Sequence, residues 1–197
     1  MSEKLTRIAV MVSSGGTNLQ ALIDAQKSGV ITSGKIELVI SNNPDAYALT
    51  RAQTNAIPTA VCTNEEQIKS SLCEYDIDLI VLAGFMRILS ADFIADFKGK
   101  IVNVHPSLIP AFCGKGFYGL KVHKAALDYG VKLTGATVHF VNEIPDGGEI
   151  IMQKAVEIFE GDTPEILQKR VMEQAEWIIL PRAVEKVSSE LMRGATV

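Results

Sequence analysis

The stretch RIAVMVSSGGTNLQALIDAQKSG, residues 7–29, contains a predicted strand, turn and helix in succession. RIAVMV is a short continuous apolar run, which is typical of a strand covered on both faces. Beyond the glycines, Leu19, Leu22 and Ile23 recur at helical spacing, and Gly29 is a suitable helix end. This order predicts the first unit of a parallel sheet with helices packed against it.

The same alternation continues through the first hundred residues. Further strands are predicted over 35–41, 59–62, 76–85 and 100–104, with helices over 45–55 and 64–74. Alternating strands and helices build a doubly wound α/β fold, mostly parallel, with helices on both faces of the sheet. Ligands of such sheets collect at the carboxyl ends of the strands, where the strand order reverses.

The second half of the chain has a different pattern. A helix is predicted over 118–130, followed by two strands over 131–141 and 149–158 that a Pro-Asp-Gly-Gly turn joins, so that antiparallel strands extend the sheet. Thr163, Pro164 and Glu165 are well suited to open a long C-terminal helix. Its inner stripe is predicted to comprise Leu167, Val171, Ala175 and Ile178, and Pro181 should kink or interrupt it.

The amino-acid composition limits the classes of protein to which this chain can belong. The 197 residues carry a net charge of -4, and 47% of them are hydrophobic, which suits a folded domain and argues against a general nucleic-acid binder. No apolar run approaches the roughly 18 to 20 residues of a membrane span, and the first residues are too polar for a signal peptide. The three cysteines are expected to be reduced thiols of a cytoplasmic protein, and no metal site is predicted from their spacing to histidines.

The turn Ser13–Asn18 is a candidate phosphate site. Gly15 and Gly16 allow the backbone to approach a ligand closely, and the free N–H groups at a helix start favour an anion. The turn is neither a nucleotide P-loop nor a GxGxxG dinucleotide motif. The alternative is a plain strand-to-helix connection in which Thr17 and Gln20 form a capping box.

A second cluster of polar residues follows the strand in IVNVHPSLIP, residues 101–110. Asn103 and His105 are two apart and therefore point to the same face of that strand. An amide donor beside an imidazole suits an anionic oxygen, and the turn residue Asp146 is a natural partner for the imidazole. The alternative interpretation is a set of ordinary polar groups at strand and turn ends. His139 is predicted to be structural and His123 to lie on a helix surface.

Four blocks in this order resemble the glycinamide ribonucleotide transformylases, the folate-dependent formyltransferases of purine synthesis. The blocks are SGGTNLQ (14–20), AGFMRILS (83–90), NVHPSLIP (103–110) and TGATVHFVNEIPDGGEII (134–151). Together they span nearly the whole chain. HPSLIP and the GATVHFV…DGG pattern are shared with the wider formyltransferase family, and the combination with SGGTNLQ points to the ribonucleotide substrate.

The resemblance implies formyl transfer from 10-formyltetrahydrofolate, a co-substrate, to the amine of glycinamide ribonucleotide, without a metal. It places the catalytic trio on Asn103, His105 and Asp146. Asn103 and protonated His105 would hold the oxyanion, while Asp146 would orient His105 and raise its pKa.

The resemblance also implies residues that hold the two small molecules. The ribonucleotide would be bound by Gly15, Gly16, Thr17, Asn18, Pro106 and Glu176. The folate would be bound by Met86, Arg87, Ile88 and Leu89, with Asn103 at the reacting group. Relatives often carry a lysine where Cys113 stands, and we hypothesise that Lys115 replaces it near the phosphate. The segment CTNEEQIKS (62–70) is short and acidic, with Lys69 its first basic residue, so recognition of the folate tail is left open.

These expectations describe one formyltransferase domain over 1–197, with a phosphate-binding half over 1–100 and a catalytic and folate-binding half over 101–197. Its partners would be small molecules, with no nucleic acid and no membrane, and a homodimer is left open. The alternatives are a formyltransferase acting on another amine such as methionyl-tRNA, a formyl-folate hydrolase, or a non-enzymatic mononucleotide or folate binder. A tRNA enzyme should carry a second, basic domain and the hydrolase an added N-terminal domain, and neither is expected here.

Overall fold

Seven strands form a single sheet in the order β3-β2-β1-β4-β5-β6-β7. The computed structural model describes residues 4–194. The strands are β1 (Thr6–Val12), β2 (Gly34–Ser41), β3 (Thr59–Val61), β4 (Leu79–Leu82), β5 (Ile101–His105), β6 (Leu133–Phe140) and β7 (Ile150–Glu157). The first five are parallel, and β6 and β7 extend the sheet with antiparallel pairing. The predicted doubly wound sheet with an antiparallel extension is confirmed.

The helices cover both faces of this sheet. They are α1 (Thr17–Ser28), α2 (Tyr47–Thr54), α3 (Glu65–Glu74), α4 (Ala91–Asp96), α5 (Leu120–Tyr129), α6 (Pro164–Val171) and α7 (Trp177–Met192), with a π-helical turn (Met172–Glu176) between the last two. The sequence pattern did not indicate α4. Its start is nevertheless conventional, because the Ser90 side chain accepts a hydrogen bond from the Phe93 N–H.

Side chains of β1 alternate between two apolar layers. Ile8, Val10 and Val12 belong to the layer that includes buried residues of α1, α2, α6 and α7. Ala9 and Met11 belong to the opposite layer, which includes buried residues of α3 and α4. All five residues are fully buried, which explains why RIAVMV is apolar throughout rather than alternating with polar residues.

The strand order reverses between β1 and β4. The chain moves outward from β1 to β2 and β3, and then returns to the other side of β1 to form β4 and β5. The connections after β1, β4 and β5 therefore leave the same edge of the sheet at the switch point, where doubly wound folds bind ligands. This geometry brings together segments that are far apart in the sequence.

The C-terminal helical segment runs from Pro164 to Met192 and contains Pro181 within α7. Thr163 caps its start as predicted. The predicted interruption at Pro181 is not found, because α7 continues through this residue; the irregularity is the π-helical turn, which ends five residues before the proline and widens the helix there. Ile178 does not belong to the buried stripe, whereas Ile179 does. The buried residues recur every fourth position. In a regular α-helix this spacing would rotate the buried side chains gradually around the helix axis, and the wide turn offsets that rotation.

Three chain-wide expectations can be compared with the described part of the chain. Between residues 4 and 194, no helix is long and apolar enough to cross a membrane. Cys62, Cys73 and Cys113 are all free thiols. Within the same residues there is no group of three or more His, Cys, Asp or Glu side chains that could hold a metal ion.

His123 is fully buried on α5, so the prediction of a surface position is wrong. Neither ring nitrogen has a hydrogen-bond partner among residues 4–194. Burial, with a smaller contribution from nearby His105, lowers the pKa of His123 to about 4. The imidazole is therefore neutral at pH 7 and packs as part of the interior near His105.

Replacing His123 with leucine should make folding less sensitive to acid. The unfolded imidazole binds a proton below its usual pKa of 6.5, whereas the folded ring resists protonation down to about 4. Native stability is therefore lost as the pH falls through this window, by roughly 2 to 3 kcal/mol from this group. Urea unfolding of the wild type and His123→Leu between pH 7 and pH 4.5 measures it. A stability difference that stays constant with pH would contradict this account.

Candidate functional site

The glycine turn after β1 holds its N–H groups free by a left-handed backbone. Gly16, with φ of 70°, precedes the first residue of α1 and makes no side-chain cap, so the predicted capping box is wrong. The Gln20 side chain bonds instead with Asp24 and Arg51. A β-carbon on Gly16 would lie 2.5 Å from the Ala48 β-carbon, so α2 packs directly against the turn. The position requires glycine for both its conformation and its space.

Ser13 joins the glycine turn to two other segments. Its hydroxyl donates to Asn42 Oδ1 at 2.6 Å, beyond the end of β2. The same oxygen accepts from the Met86 N–H at 2.8 Å, beyond the end of β4. Sequence reasoning missed this role, because a serine in a glycine-rich turn gives no sign of its distant partners. The bonds fix the candidate folate segment relative to the candidate phosphate turn.

The pairing of β5 with β6 brings the second cluster together. Asn103 lies opposite His139, and His105 lies opposite Thr137 in the antiparallel register. The sheet thus places the predicted amide and imidazole beside a second histidine, which the sequence pattern indicated only as structural. The Asn103 Nδ2 atom lies 3.2 Å from His139 Nε2.

Asp146 lies between the two imidazoles. Its Oδ2 is 3.5 Å from His105 Nδ1, and its Oδ1 is 3.7 Å from His139 Nε2. The Gly114 N–H donates to Oδ2 at 2.8 Å, which ties the carboxylate to the connection after β5. Residues 103, 105 and 146, distant in sequence, therefore converge at one place as predicted.

The turn that carries Asp146 is held in an unusual conformation. Asp146 has a φ of 57°, a value that is uncommon outside glycine. A β-carbon on Gly148 would lie 1.8 Å from the Phe140 carbonyl oxygen, so the turn packs tightly on the end of β6. The glycine pair in IPDGG therefore lets the carboxylate approach the strand ends closely.

His105 is almost fully enclosed, with 4% of its surface exposed. Burial lowers the pKa of His105, and Asp146 and the Phe112 carbonyl oppose that effect without overcoming it. The expected rise in this pKa is therefore wrong, because the sequence does not show how completely the ring is buried. The ring Nε2 lies 2.9 Å from the Phe112 carbonyl oxygen, so both nitrogens face acceptors and the site would accommodate a charged ring well.

The carboxylate is the stable charge of the cluster. Burial raises the pKa of Asp146, but its contacts with His139, His105 and the Gly114 N–H outweigh burial and leave this pKa below its usual value. Asp146 is therefore ionised at neutral pH.

His139 orients Asn103. Its Nδ1 lies 2.8 Å from the Phe140 carbonyl oxygen and must donate to it, which leaves Nε2 to accept from Asn103. One N–H of the asparagine amide is used in this way, and the second remains free to donate to a ligand. His139 thus acts through Asn103, a role that sequence reasoning did not assign.

Thr137 anchors the loop after β5. Its hydroxyl donates to the Ser107 carbonyl at 2.7 Å and accepts from the Ile109 N–H at 3.1 Å and from Gln153 at 2.9 Å. Pro106, in the same loop, is half-buried beside His105. Lys115 is exposed further along and makes no hydrogen bond or ion pair with residues 4–194.

Glu176 lies beside the glycine turn, on that side of the site. The π-helical turn ends at this residue, whose side chain is buried and accepts from Asn18 Nδ2 at 2.7 Å. Burial raises the pKa of Glu176, and the bond from Asn18 opposes that rise only in part. Two of the predicted substrate-binding residues, 158 positions apart, are therefore in direct contact.

The segment after β4 presents two of its apolar residues to the outside. Met86 is 55% and Ile88 is 83% exposed, which argues against their being plain core, whereas Leu89 is buried. A pocket of about 360 Å³ is lined by Arg87, Ile88 and Leu89 of this segment and by Asn64, Glu65 and Ile68 at the start of α3. Arg87 also donates to the Thr63 carbonyl. Lys69 faces away from this pocket and pairs with Asp96 at 2.5 Å.

The fold and site define a doubly wound α/β protein whose glycine turn and polar cluster share one edge of the sheet. The chain belongs to the formyl transferase family, whose model matches residues 6–184. It is 43% identical over 190 residues to a phosphoribosylglycinamide formyltransferase of Haemophilus influenzae, covering 92% of this chain and 86% of that protein.

Two further comparisons agree with this placement. The solved phosphoribosylglycinamide formyltransferase of Anaplasma phagocytophilum superposes with a TM-score of 0.87 at 39% identity, covering 95% of this chain and 89% of that one. The human trifunctional purine biosynthetic protein adenosine-3 is 42% identical over 196 residues, which is 95% of this chain. The chain spans 19% of the length of that larger protein.

Replacing Asp146 with asparagine should lower the pKa of His105 further. The carboxylate is the negative charge that opposes the effect of burial on this ring, and its removal leaves burial unopposed by any nearby anion. NMR titration of the histidine resonances in the wild type and Asp146→Asn measures this change. Asp128→Asn, at an exposed site on α5, is the control. A His105 pKa that is unchanged or higher in Asp146→Asn would contradict the proposed pairing.

Proposed function

We propose that this chain transfers the formyl group of 10-formyltetrahydrofolate to the amine of glycinamide ribonucleotide, a step of purine biosynthesis. The observation that carries the proposal is the convergence of Asn103, His105 and Asp146 at the same sheet edge as the glycine turn. A non-enzymatic binder would need the turn, but it would have no use for a half-buried carboxylate between two imidazoles.

The ribonucleotide is proposed to bind with its phosphate at the turn. The N–H groups of Gly15, Gly16, Thr17 and Asn18 supply donors that suit an anion. Glu176 accepts from Asn18 through Oε2, and its Oε1 makes no hydrogen bond to the described residues, so it is available to a ribose hydroxyl. Pro106 lies at the wall beside the reacting amine, and Lys115 is proposed to reach the phosphate from the loop after β5.

The folate is proposed to bind along Met86, Arg87, Ile88 and Leu89, with its ring against the backbone of this segment. The exposed side chains of Met86 and Ile88 offer apolar surface, and the adjoining pocket offers depth for a planar group. Asn103 then faces the formyl group, between the two ligands.

The chemistry follows from the cluster. The substrate amine attacks the formyl carbon, forming a tetrahedral intermediate with a negatively charged oxygen. The free N–H of Asn103 donates to that oxygen, and the Nε2–H of His105 donates to it once it has left the Phe112 carbonyl. His105 is neutral in the free site because of burial, and the negative charge developing on the oxygen favours its protonation.

The intermediate then breaks its bond to the folate nitrogen. Asp146, which is ionised, orients His105 and accepts a hydrogen bond from a water that carries the amine proton to the leaving nitrogen. The products are formylated ribonucleotide and tetrahydrofolate. The proton that the amine loses is the proton that the folate nitrogen gains, so atoms and charge balance. No metal is needed because the amine itself is the nucleophile. Holding both ligands at one carbon contributes much of the rate enhancement.

We also propose that residues 1–197 act as a single domain, with a phosphate-binding half over 1–100 and a catalytic and folate-binding half over 101–197. The continuous sheet supports a single domain, because β4 of the first half pairs directly with β5 of the second half. A cytoplasmic location is proposed from the free thiols, and assembly as a homodimer is a proposal that ultracentrifugation would test.

Purified protein given both substrates should release tetrahydrofolate only when the ribonucleotide is present. Asn103→Ala should lower kcat about 10²- to 10³-fold, because it removes one donor to the oxyanion. Asn55→Ala, at the end of α2, is the matched control and should retain full activity. Release of formate instead of formylated ribonucleotide, or activity only on charged tRNA, would contradict the proposal.

A further inference from the structure

We propose that Arg51 is a positioning residue of the phosphate site, which polarises the glycine turn from behind and supplies its positive charge. The proposal rests on the proposed function, because it concerns the same phosphate. Residues 13–18 contain no basic side chain, so the turn itself has no positive charge for a phosphate. Arg51 would supply that charge.

Three contacts fix the Arg51 guanidinium against the turn. Its Nε donates to the Gly15 carbonyl at 2.8 Å, and its Nη1 donates to Gln20 Oε1 at 3.1 Å. The guanidinium carbon also lies 5.0 Å from the centroid of the Tyr47 ring. These contacts hold the arginine between α1 and α2 with a defined orientation.

The bond to Gly15 acts on the donor that faces the ligand. The Gly15 carbonyl and the Gly16 N–H belong to one peptide unit, so a cation bound at the oxygen draws electron density from the nitrogen. The Gly16 N–H makes no hydrogen bond to residues 4–194 and is available to an anion. Arg51 therefore makes this N–H a stronger donor without occupying the phosphate position.

The charge of Arg51 is not neutralised locally. No carboxylate of the described residues lies within ion-pair distance of it, and Asp24 joins its network only through Gln20. If Arg51 only stabilised the turn, its positive charge would not need to remain without an ion-pair partner. Packing of Ala48 on Gly16 and the Ala48 N–H bond to the Ser14 carbonyl at 3.0 Å already brace the turn.

Ribose 5-phosphate binding, measured by calorimetry, tests the proposal without formyl transfer. Arg51→Gln should raise the Kd about tenfold. It should also weaken the dependence of binding on salt, because one positive charge is removed. Arg51→Lys should recover part of the affinity, since it retains the charge but not the oriented pair of donors. Arg193→Gln, an exposed arginine at the end of α7, is the control and should bind as the wild type does.

Steady-state kinetics separates positioning from structure. In Arg51→Gln the KM for glycinamide ribonucleotide should rise by a similar factor, with kcat and the KM for 10-formyltetrahydrofolate within about twofold of wild type. Unchanged phosphate affinity, or no difference between Arg51→Gln and Arg51→Lys, would overturn the proposal. The wild type could bind ribose 5-phosphate and yet transfer no formyl group, while Arg51→Gln binds the phosphate more weakly. That result would support the role of Arg51 and refute the proposed function.

Discussion

The contact of the half-buried Asp146 carboxylate with two imidazoles is the interaction on which the site depends. Moving a charge out of water is costly, and here the Gly114 N–H and the ring of His105 offset that cost. Each partner comes from a different part of the chain. The carboxylate therefore holds the loop after β5, the end of β6 and its own turn in one arrangement, and the proposed catalytic residues keep their positions because the charge must remain satisfied.

The sheet makes this arrangement achievable. Because the strand order reverses between β1 and β4, the glycine turn, the exposed segment after β4 and the cluster on β5 all reach one edge. Ser13 connects the first two of these segments, and the pairing of β5 with β6 adds His139 to the third. A ribonucleotide and a folate could thus approach one carbon from two sides, as direct formyl transfer between them requires.

Local sequence patterns predicted the sheet, most helices and the three proposed catalytic residues, because apolar periodicity and glycine turns are local properties. They failed where tertiary contacts decide the outcome. His123 is polar yet fully buried. Gln20 contacts Arg51 instead of forming the expected capping box. Ile179, and not Ile178, belongs to the buried stripe, because the π-helical turn departs from the regular helical spacing that the prediction assumed. The pKa of His105 depends on enclosure by a loop whose packing no short motif reveals.

The central claim is that His105 and Asp146 act as one unit on the formyl group. A double-mutant cycle on kcat tests it most directly, comparing His105→Gln, Asp146→Asn and the combined variant in tetrahydrofolate release. Residues that act as a unit give strongly non-additive effects. The combined variant should therefore be about as slow as the slower single variant. A combined loss equal to the product of the two single losses would show that the residues act independently and would contradict the account.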